Sequence, residues 1–224
     1  MFSAESGYRI QVKPYNLTAL AEGTPAEVFV QDELPYAKEG KHWYSHETDL
    51  LRLLILYKYG GIYMDIDVII VRDLHDLPLN TIGWESGSNL NGAFLKFQSG
   101  HPYLHACIVR FSERYSQAWS DNGPLLLSRV WREWSSTNPD NDVTTASPIA
   151  FYMFFYRSIR QSCFEDTSGV DFDENWKILR SQTYAVHLYS KVTADYGGEN
   201  NKIKEGTLCK YILNAFCVLC IKVY

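Results

Sequence analysis

The chain has 224 residues, 46% of them hydrophobic and 21% charged, and this length and composition can bury a full core and exclude an intrinsically disordered protein. Lys and Arg number 21 against 26 Asp and Glu, which gives a formal net charge of −5 and disfavours nucleic acid as the main partner. No stretch approaches the roughly 20 apolar residues of a membrane-spanning helix, and residues 1–15 lack the pattern of a signal peptide. We therefore expect a soluble chain with no transmembrane segment.

Strand and helix signals alternate along the first half of the chain, which is typical of an α/β fold. Short β-branched segments at 8–12 and 28–30 predict strands. The apolar pattern over 45–59 predicts a helix buried on most sides, which ends at the glycine pair that follows it. Directly afterwards, 62–71 is rich in β-branched residues and predicts an interior strand.

The second half continues the alternation. Its predicted elements are a strand at 93–97, helices at 103–119 and 124–134, an aromatic-rich segment at 148–156, a strand at 183–188, a mobile polar loop at 190–206 and a helix at 207–218. A CxxC formed by Cys217 and Cys220 is compatible with a disulfide or, with less support, a zinc site, because no second pair of Cys or His stands at finger spacing.

Asp65 and Asp67 are the most informative pair of residues in the predicted strand 62–71. Because side chains on a strand alternate faces, both carboxylates are expected on one face with Cα atoms about 7 Å apart, while the other face is apolar. Two like charges at the end of an interior strand are costly unless a cation is present. Oxygen ligands select hard ions such as Mg²⁺ or Mn²⁺, which favour phosphate-bearing substrates. The alternative is a hydrated pair at the end of a strand.

Asp49 and Arg52 lie three residues apart in the helix predicted before that strand, and therefore share a face. One interpretation is a surface ion pair of little energetic value. The other is a binding pair, in which the guanidinium contacts phosphate or sugar hydroxyls and the carboxylate accepts hydrogen bonds from sugar hydroxyls.

These residues resemble the DXD sugar-binding region of glycosyltransferases, through the segments 45–52 and 57–67. Shorter blocks follow in the order found in the α-1,4-galactosyltransferase family and its α-1,4-N-acetylglucosaminyltransferase relatives. Those blocks are 90–94, 122–124, 150–152, 184–188 and 217–220. The resemblance covers the chain from about Thr24 to its end.

The resemblance implies a single GT-A domain over 1–224, with a donor and metal-binding half at 24–100 and a sugar and acceptor half at 101–224. It implies Mn²⁺ or Mg²⁺, a nucleotide-sugar donor with UDP-galactose favoured, a glycan or glycolipid acceptor, and the Golgi lumen. It also implies transfer with retention at the anomeric carbon. We expect same-face attack by the acceptor hydroxyl; a double displacement would require a carboxylate nucleophile.

By the same likeness, Asp65, Asp67 and His187 are metal ligands, and donor contacts come from Asp49, Arg52, Tyr63, Asp65 and Asn91. Asn122 and its neighbour Asp121 are the residues expected near the anomeric centre. Each assignment has a plainer alternative. The histidine would be a buried strand residue, Asn91 a turn residue, and the pair at 121–122 helix caps.

Three departures from the family pattern stand out. Only about two dozen residues precede Thr24, so we expect the N-terminal nucleotide-binding strand region to be incomplete or replaced by 8–12. Ile66 lies between the two aspartates, and Tyr189-Ser190 stands where Trp-Asn is common. Two other functions stay open: a metal-dependent phosphodiesterase or nuclease, and a non-catalytic carbohydrate-binding remnant of the family. A P-loop nucleotidase is excluded because its motif is absent from the sequence.

Overall fold

The computed structural model describes residues 11–165, 172–196 and 203–216. Its strands are β1 (Gly61–Met64), β2 (Val68–Ile70), β3 (Thr81–Trp84), β4 (Leu90–Phe97), β5 (Thr144–Ala146) and β6 (Ala185–His187). Its helices are α1 (Leu17–Ala21), α2 (Leu34–Lys38), α3 (Trp43–Tyr59), α4 (Pro102–Glu113), α5 (Pro124–Thr137), α6 (Pro148–Phe151), α7 (Phe172–Gln182), α8 (Ser190–Thr193) and α9 (Leu208–Phe216). Shorter π-helical turns span Phe29–Glu33 and Arg160–Glu165, and a 3₁₀ turn spans Ala194–Tyr196. The predicted α/β fold class is confirmed.

Two sheets organise these elements. The larger has the strand order β1-β4-β3-β5, in which β3 and β5 are parallel and the other pairs antiparallel. The smaller is the antiparallel pair β2 and β6, with Val68 opposite His187. The segment 65–67 connects β1 to β2 and therefore joins the two sheets.

The central strand β4 lies between two hydrophobic cores, because its successive side chains face opposite sides of the sheet. Leu95 and Phe97 join a core built largely from α1, α3, α4 and α5. Phe94 faces a second core that includes Phe151 of α6, residues of β6 and α9. A disulfide between Cys163 and Cys209 ties the second π-helical turn to α9 within that second core.

Helix α3 confirms the strongest secondary-structure prediction. It begins two residues earlier than predicted, at Trp43, and ends at Tyr59. Gly60 terminates it with φ of +67°, and its N–H donates to the Leu56 carbonyl. A Cβ at Gly60 would lie 2.7 Å from the Ser99 backbone nitrogen, so only glycine fits there without displacing backbone.

The prediction of one interior strand over 62–71 is wrong. The segment contains two short strands in different sheets, and β1 is an edge strand that pairs only with β4 among the described residues. The chain turns at 66–67, which leaves Ile66 fully exposed. Ile62, Met64 and Ile70, from the same predicted apolar face, are also exposed. Val68, the remaining residue of that face, is half-buried against the second core. Backbone pairing here is limited by the turn, and β-branched composition alone does not reveal a turn.

Three other element predictions need correction. The segment 28–30 is helical, because the Val30 N–H bonds to the Ala26 carbonyl and Phe29 packs edge-on against Phe111. The helix predicted over 103–119 ends at Glu113, after which Tyr115 turns back to pack on the same rings. The polar segment after β6 is helical over Ser190–Thr193 rather than a loop.

Two predictions fall partly or wholly outside the described residues. Residues 11–12 of the predicted strand 8–12 have no regular structure, and the rest of that segment is not described. The Cys217–Cys220 motif also lies outside the described ranges. No helix within those ranges combines the length and apolar character needed to cross a bilayer.

Candidate active site

Asp65, Asp67 and His187 converge where the two sheets meet, and we call them the Asp-Asp-His cluster. The Asp65 N–H donates to the Ala93 carbonyl of β4 at 2.9 Å, which fixes the start of the turn. The Asp67 carbonyl accepts from the Leu188 N–H at 2.9 Å, which continues the β2–β6 pairing. One ligand atom from each member of the cluster lies within 4.8 Å of the other two.

The geometry of the cluster fits a divalent cation. Asp67 Oδ1 lies 3.3 Å from His187 Nε2, and two neighbouring ligands of an octahedral ion at about 2.1 Å would lie about 3 Å apart. A donor set of two carboxylates and one imidazole suits Mn²⁺. His187 Nδ1 is buried and makes no hydrogen bond to the described residues. Nε2, the other ring nitrogen, faces the Asp67 carboxylate.

Asp67 is held ionised. Burial alone would raise the pKa of its carboxyl, but hydrogen bonds and charge from His187, together with the Ser190 backbone, hold that pKa well below the usual range. The Ser190 N–H donates to Asp67 Oδ2 at 2.7 Å. A carboxylate that stays charged at all physiological pH values is a competent metal ligand.

Within the described part of the chain, the hydrogen bond and the ion pair of Asp65 both use a single oxygen. The Tyr63 hydroxyl donates to Asp65 Oδ1 at 2.6 Å, and Arg52 Nη2 lies 3.4 Å from the same atom. The Arg52 guanidinium also stacks over the Tyr63 ring, 4.8 Å from its centroid. Oδ2 is therefore the oxygen left for a cation or substrate, and Tyr63 orients the carboxylate.

Asp49 and Arg52 form a buried ion pair, so the surface-pair interpretation is wrong. Arg52 Nη2 lies 3.3 Å from Asp49 Oδ1, with side-chain exposures of 10% and 12%. Burial raises the pKa of Asp49 to about 6, with Asp65 adding to the effect and Arg52 opposing it. The guanidinium thus lies between two carboxylates, Asp49 and Asp65, at the base of the candidate site.

Two glycines allow the neighbouring elements to approach this pair closely. A Cβ at Gly92 of β4 would lie 2.7 Å from Arg52 Nη1. A Cβ at Gly123, just before α5, would lie 2.7 Å from Asp49 Oδ2. The sequence blocks 90–94 and 122–124, which are distant along the chain, therefore meet at the Asp49–Arg52 pair.

Asn91 directly precedes Gly92, which faces this pair, and its side-chain oxygen takes part in a local turn. Its Oδ1 accepts from the Ala93 N–H at 2.8 Å, as the turn alternative predicts. Its backbone carbonyl accepts from the buried Tyr152 hydroxyl at 3.0 Å, and the Tyr152 ring packs against His187 at 5.9 Å between centroids. A sugar contact from the remaining amide nitrogen stays a prediction.

Among the described residues, no hydrogen bond or ion pair joins Asn122 or Asp121 to the Asp-Asp-His cluster. The buried Asn122 amide bonds twice to the backbone of Ser116, accepting at 3.0 Å and donating at 2.5 Å. Asp121 pairs with Arg129 at 2.9 Å. Neither side chain caps α5, whose cap residue is Gly123. Their roles near the anomeric centre stay predictions.

The sequence analysis missed three contributors to the site. The Ser190 N–H is a backbone group, and no side-chain pattern signals it. The centroid of the Tyr189 ring lies 4.0 Å from that of the His187 ring. Tyr189 has φ of +51° and a buried hydroxyl. The sequence signal for this residue is a tyrosine where tryptophan is common in the family. Burial, followed by the charge of Glu85, raises the pKa of Tyr189, and Glu85 is the third group that the sequence analysis did not name.

Comparison with known proteins assigns the chain to a family. Residues 3–88 match the glycosyltransferase sugar-binding region containing the DXD motif, and residues 96–224 match the alpha 1,4-glycosyltransferase conserved region.

Two curated relatives agree with this assignment. The chain is 33% identical to lactosylceramide 4-alpha-galactosyltransferase of Mus musculus over 193 residues, which is 81% of this chain and 50% of that protein. It is 28% identical to alpha-1,4-N-acetylglucosaminyltransferase of Homo sapiens, over 81% of this chain and 53% of that protein. Among solved structures, PaToxG glycosyltransferase is similar with a TM-score of 0.42 and 16% identity, over 76% of this chain and 63% of that chain.

The match to the alpha 1,4-glycosyltransferase conserved region alone covers more than half of the sequence. The chain spans about half the length of the curated relatives that it matches. It belongs to the alpha 1,4-glycosyltransferase family, with its DXD motif at Asp65 and Asp67.

Proposed function

We propose that this chain is a metal-dependent, retaining hexosyltransferase that moves galactose from UDP-galactose to a glycan or glycolipid acceptor. The observation that carries the proposal is the convergence of Asp65, Asp67 and His187 beside the buried Asp49–Arg52 pair. A DXD pair alone, without a third ligand or a neighbouring binding group, would be compatible with many kinds of metal site. This arrangement combines a cation site with groups that bind hydroxyls and phosphates.

In the proposal, the Asp-Asp-His cluster holds Mn²⁺ or Mg²⁺. A divalent ion there supplies positive charge that stabilises a departing diphosphate. Arg52 and Asp49 face the donor sugar, with the guanidinium donating and the carboxylate accepting hydrogen bonds. Tyr63 keeps Asp65 oriented through its 2.6 Å hydrogen bond. Asn91 adds a sugar contact, and the donor half at 24–100 works with the acceptor half at 101–224.

Retention is proposed to occur by same-face attack of the acceptor hydroxyl. The carboxylates of the cluster are engaged by His187, Tyr63 and Arg52, and Asp49 is paired with that same arginine. A carboxylate committed in this way is a poor nucleophile, which disfavours a covalent glycosyl-enzyme. Asn122 and Asp121 are proposed to act near the anomeric centre through the loop that they stabilise.

The Golgi lumen is the proposed compartment, as the family resemblance implies. The Cys163–Cys209 disulfide supports an oxidising environment.

The proposal is tested by adding UDP-galactose, UDP-N-acetylglucosamine or GDP-mannose, with and without Mn²⁺, while thermal stability and donor hydrolysis are recorded. Because the cation and the diphosphate bind together, we expect stabilisation and slow hydrolysis only when Mn²⁺ and a UDP-sugar are both present. Asp67→Asn should abolish both effects. Asp73→Asn, which removes an exposed carboxylate outside the site, should retain them.

Other outcomes separate the remaining functions. Stabilisation by glycans alone, without any effect of Mn²⁺ and donor, would identify a non-catalytic carbohydrate-binding remnant. Metal-dependent cleavage of simple phosphodiesters would identify a hydrolase.

A further inference from the structure

A lysine lies over an exposed tryptophan at the margin of the candidate site. The Lys191 ammonium is 3.4 Å from the centroid of the Trp119 ring. The indole is 47% exposed and Lys191 is also exposed. An exposed cation–π contact of this kind is weak, so the lysine can leave it at little cost.

Both side chains extend from segments that touch the site. Lys191 directly follows Ser190, whose N–H donates to Asp67 Oδ2 at 2.7 Å. Trp119 lies four residues before Gly123, whose Cα faces the Asp49 carboxylate. The contact therefore joins the segment after β6 to the segment before α5, on either side of the acidic groups.

Each of these segments contains a residue in the left-handed region. Ser120, next to Trp119, has φ of +63°, and Tyr189, two residues before Lys191, has φ of +51°. Non-glycine residues adopt this conformation at a cost, and it recurs where a function requires it. The strained positions thus lie beside both partners of the lysine–tryptophan contact.

The charges of the site leave a place for one more cation. Asp49, Asp65 and Asp67 are three carboxylates, and Arg52 is the arginine that lies against the first two. The charges of one arginine and one divalent ion together balance the three carboxylates. No positive charge then remains to balance a nucleotide diphosphate, each phosphate of which is negatively charged. Among the described residues, no carboxylate pairs with Lys191, whose recorded contact is with Trp119.

We propose that Lys191 binds the diphosphate of the donor, and that it leaves the Trp119 ring when a nucleotide diphosphate is bound. A lysine suits this role because its ammonium sits on a flexible four-carbon stem and can move between two partners. This assignment rests on the proposed function, since it requires a diphosphate at the Asp-Asp-His cluster. Lys191 is not among the residues that the family motifs single out in the sequence.

The first test measures affinity for UDP and for inorganic pyrophosphate in the presence of Mn²⁺, by titration calorimetry. Because a hydrogen bond to a charged group is lost, Lys191→Met should weaken both ligands about ten- to a hundred-fold. Lys191→Arg should retain most of the affinity. Lys177→Met removes the same charge from the exposed face of α7 and should bind like the wild type.

The second test records tryptophan fluorescence as pyrophosphate and Mn²⁺ are added. Release of Lys191 from the indole should change the wild-type emission, and the change should be absent in Trp119→Phe and in Lys191→Met. Equal affinity of Lys191→Met and the wild type would overturn the assignment. A change of emission in Lys191→Met as large as that in the wild type would also overturn it.

The two proposals fail in different ways. If the wild type binds Mn²⁺ and UDP, Asp67→Asn abolishes that binding, and Lys191→Met has no effect, only the role of the lysine is refuted. If the wild type binds neither UDP nor pyrophosphate with Mn²⁺, the proposed function and the lysine assignment are refuted together.

Discussion

Arg52 is the residue on which the charged side of the site depends. Its guanidinium contacts Asp49 and Asp65 and stacks on Tyr63. Truncating one partner of a buried charge pair costs about 3–5 kcal/mol because the other charge stays buried and unpaired. The arginine therefore supports the fold as well as the site, and a gentler change than its removal is needed to test its position.

Gly92 offers that gentler change. Gly92→Ala places a methyl group against Arg52 Nη1, where an ideal Cβ would lie only 2.7 Å away, so the guanidinium must move from its place between the carboxylates. We expect a loss of about 1–3 kcal/mol in the free energy of unfolding and weaker binding of UDP with Mn²⁺. The matched control is Gly87→Ala, because a Cβ there meets nothing within 4 Å. Equal losses of affinity in the two variants would contradict this role of the arginine.

We expect the free energy of unfolding of the metal-free protein to depend on pH because of Asp49. Burial raises the pKa of its carboxyl from 3.8 to about 6 in the folded state. Between those pH values the unfolded chain releases the proton while the folded chain keeps it, so the stability contributed by this group falls as pH rises from about 4 to about 6. Asp49→Asn should remove that fall, measured by urea unfolding across the range with EDTA present. Parallel profiles for variant and wild type would refute it.

For the individual residues of the site, the sequence predicts the chemical groups correctly but not the backbone geometry that brings them together. The sequence predicts Asp65, Asp67 and His187 as the metal ligands, and the structure brings them together. The reason was wrong, because the two aspartates converge through a turn and not through a shared strand face. The backbone N–H of Ser190 could not be predicted, since hydrogen bonds from the main chain depend on tertiary placement and not on residue type.

Among the elements, predictability followed the length of the pattern. Helix α3 repeats its apolar pattern over 17 residues, so a local error changes its assignment little. The segment 28–30 is only three residues long, and 62–71, although rich in β-branched residues, gives no sign of the turn inside it. In both, tertiary contacts outweighed propensity: Phe29 packs into the α-helical core, and the chain turns before Asp67 to join the smaller sheet.

Ile66 tests the turn between β1 and β2. If the segment were one interior strand, a charge at this position would be strongly destabilising. Because the side chain is fully exposed, Ile66→Lys should change the free energy of unfolding by no more than about 0.5 kcal/mol. Leu95→Ala, in the buried centre of β4, should cost about 2–5 kcal/mol. Thermal or urea unfolding of the two variants measures the contrast, and a large loss in Ile66→Lys would contradict the turn.

In the complete fold, the candidate site lies between the two hydrophobic cores. Strand β4 contributes side chains to both cores. The turn that carries Asp65 and Asp67 follows β1, and His187 lies on β6 of the smaller sheet. The disulfide between Cys163 and Cys209 closes a segment with a sequence separation of 46 and stabilises the core that carries the histidine. This pairing could not be deduced from five cysteines alone.

Mn²⁺ binding to the purified chain, measured by calorimetry or by the electron paramagnetic resonance signal of free Mn²⁺, tests whether the Asp-Asp-His cluster is a metal site. We expect one ion to bind to the wild type, and Asp67→Asn and His187→Ala to lose that binding while remaining folded. Asp73→Asn should bind as the wild type does. Undiminished Mn²⁺ binding by folded Asp67→Asn and His187→Ala would contradict the claim that the two carboxylates and the imidazole hold a single cation.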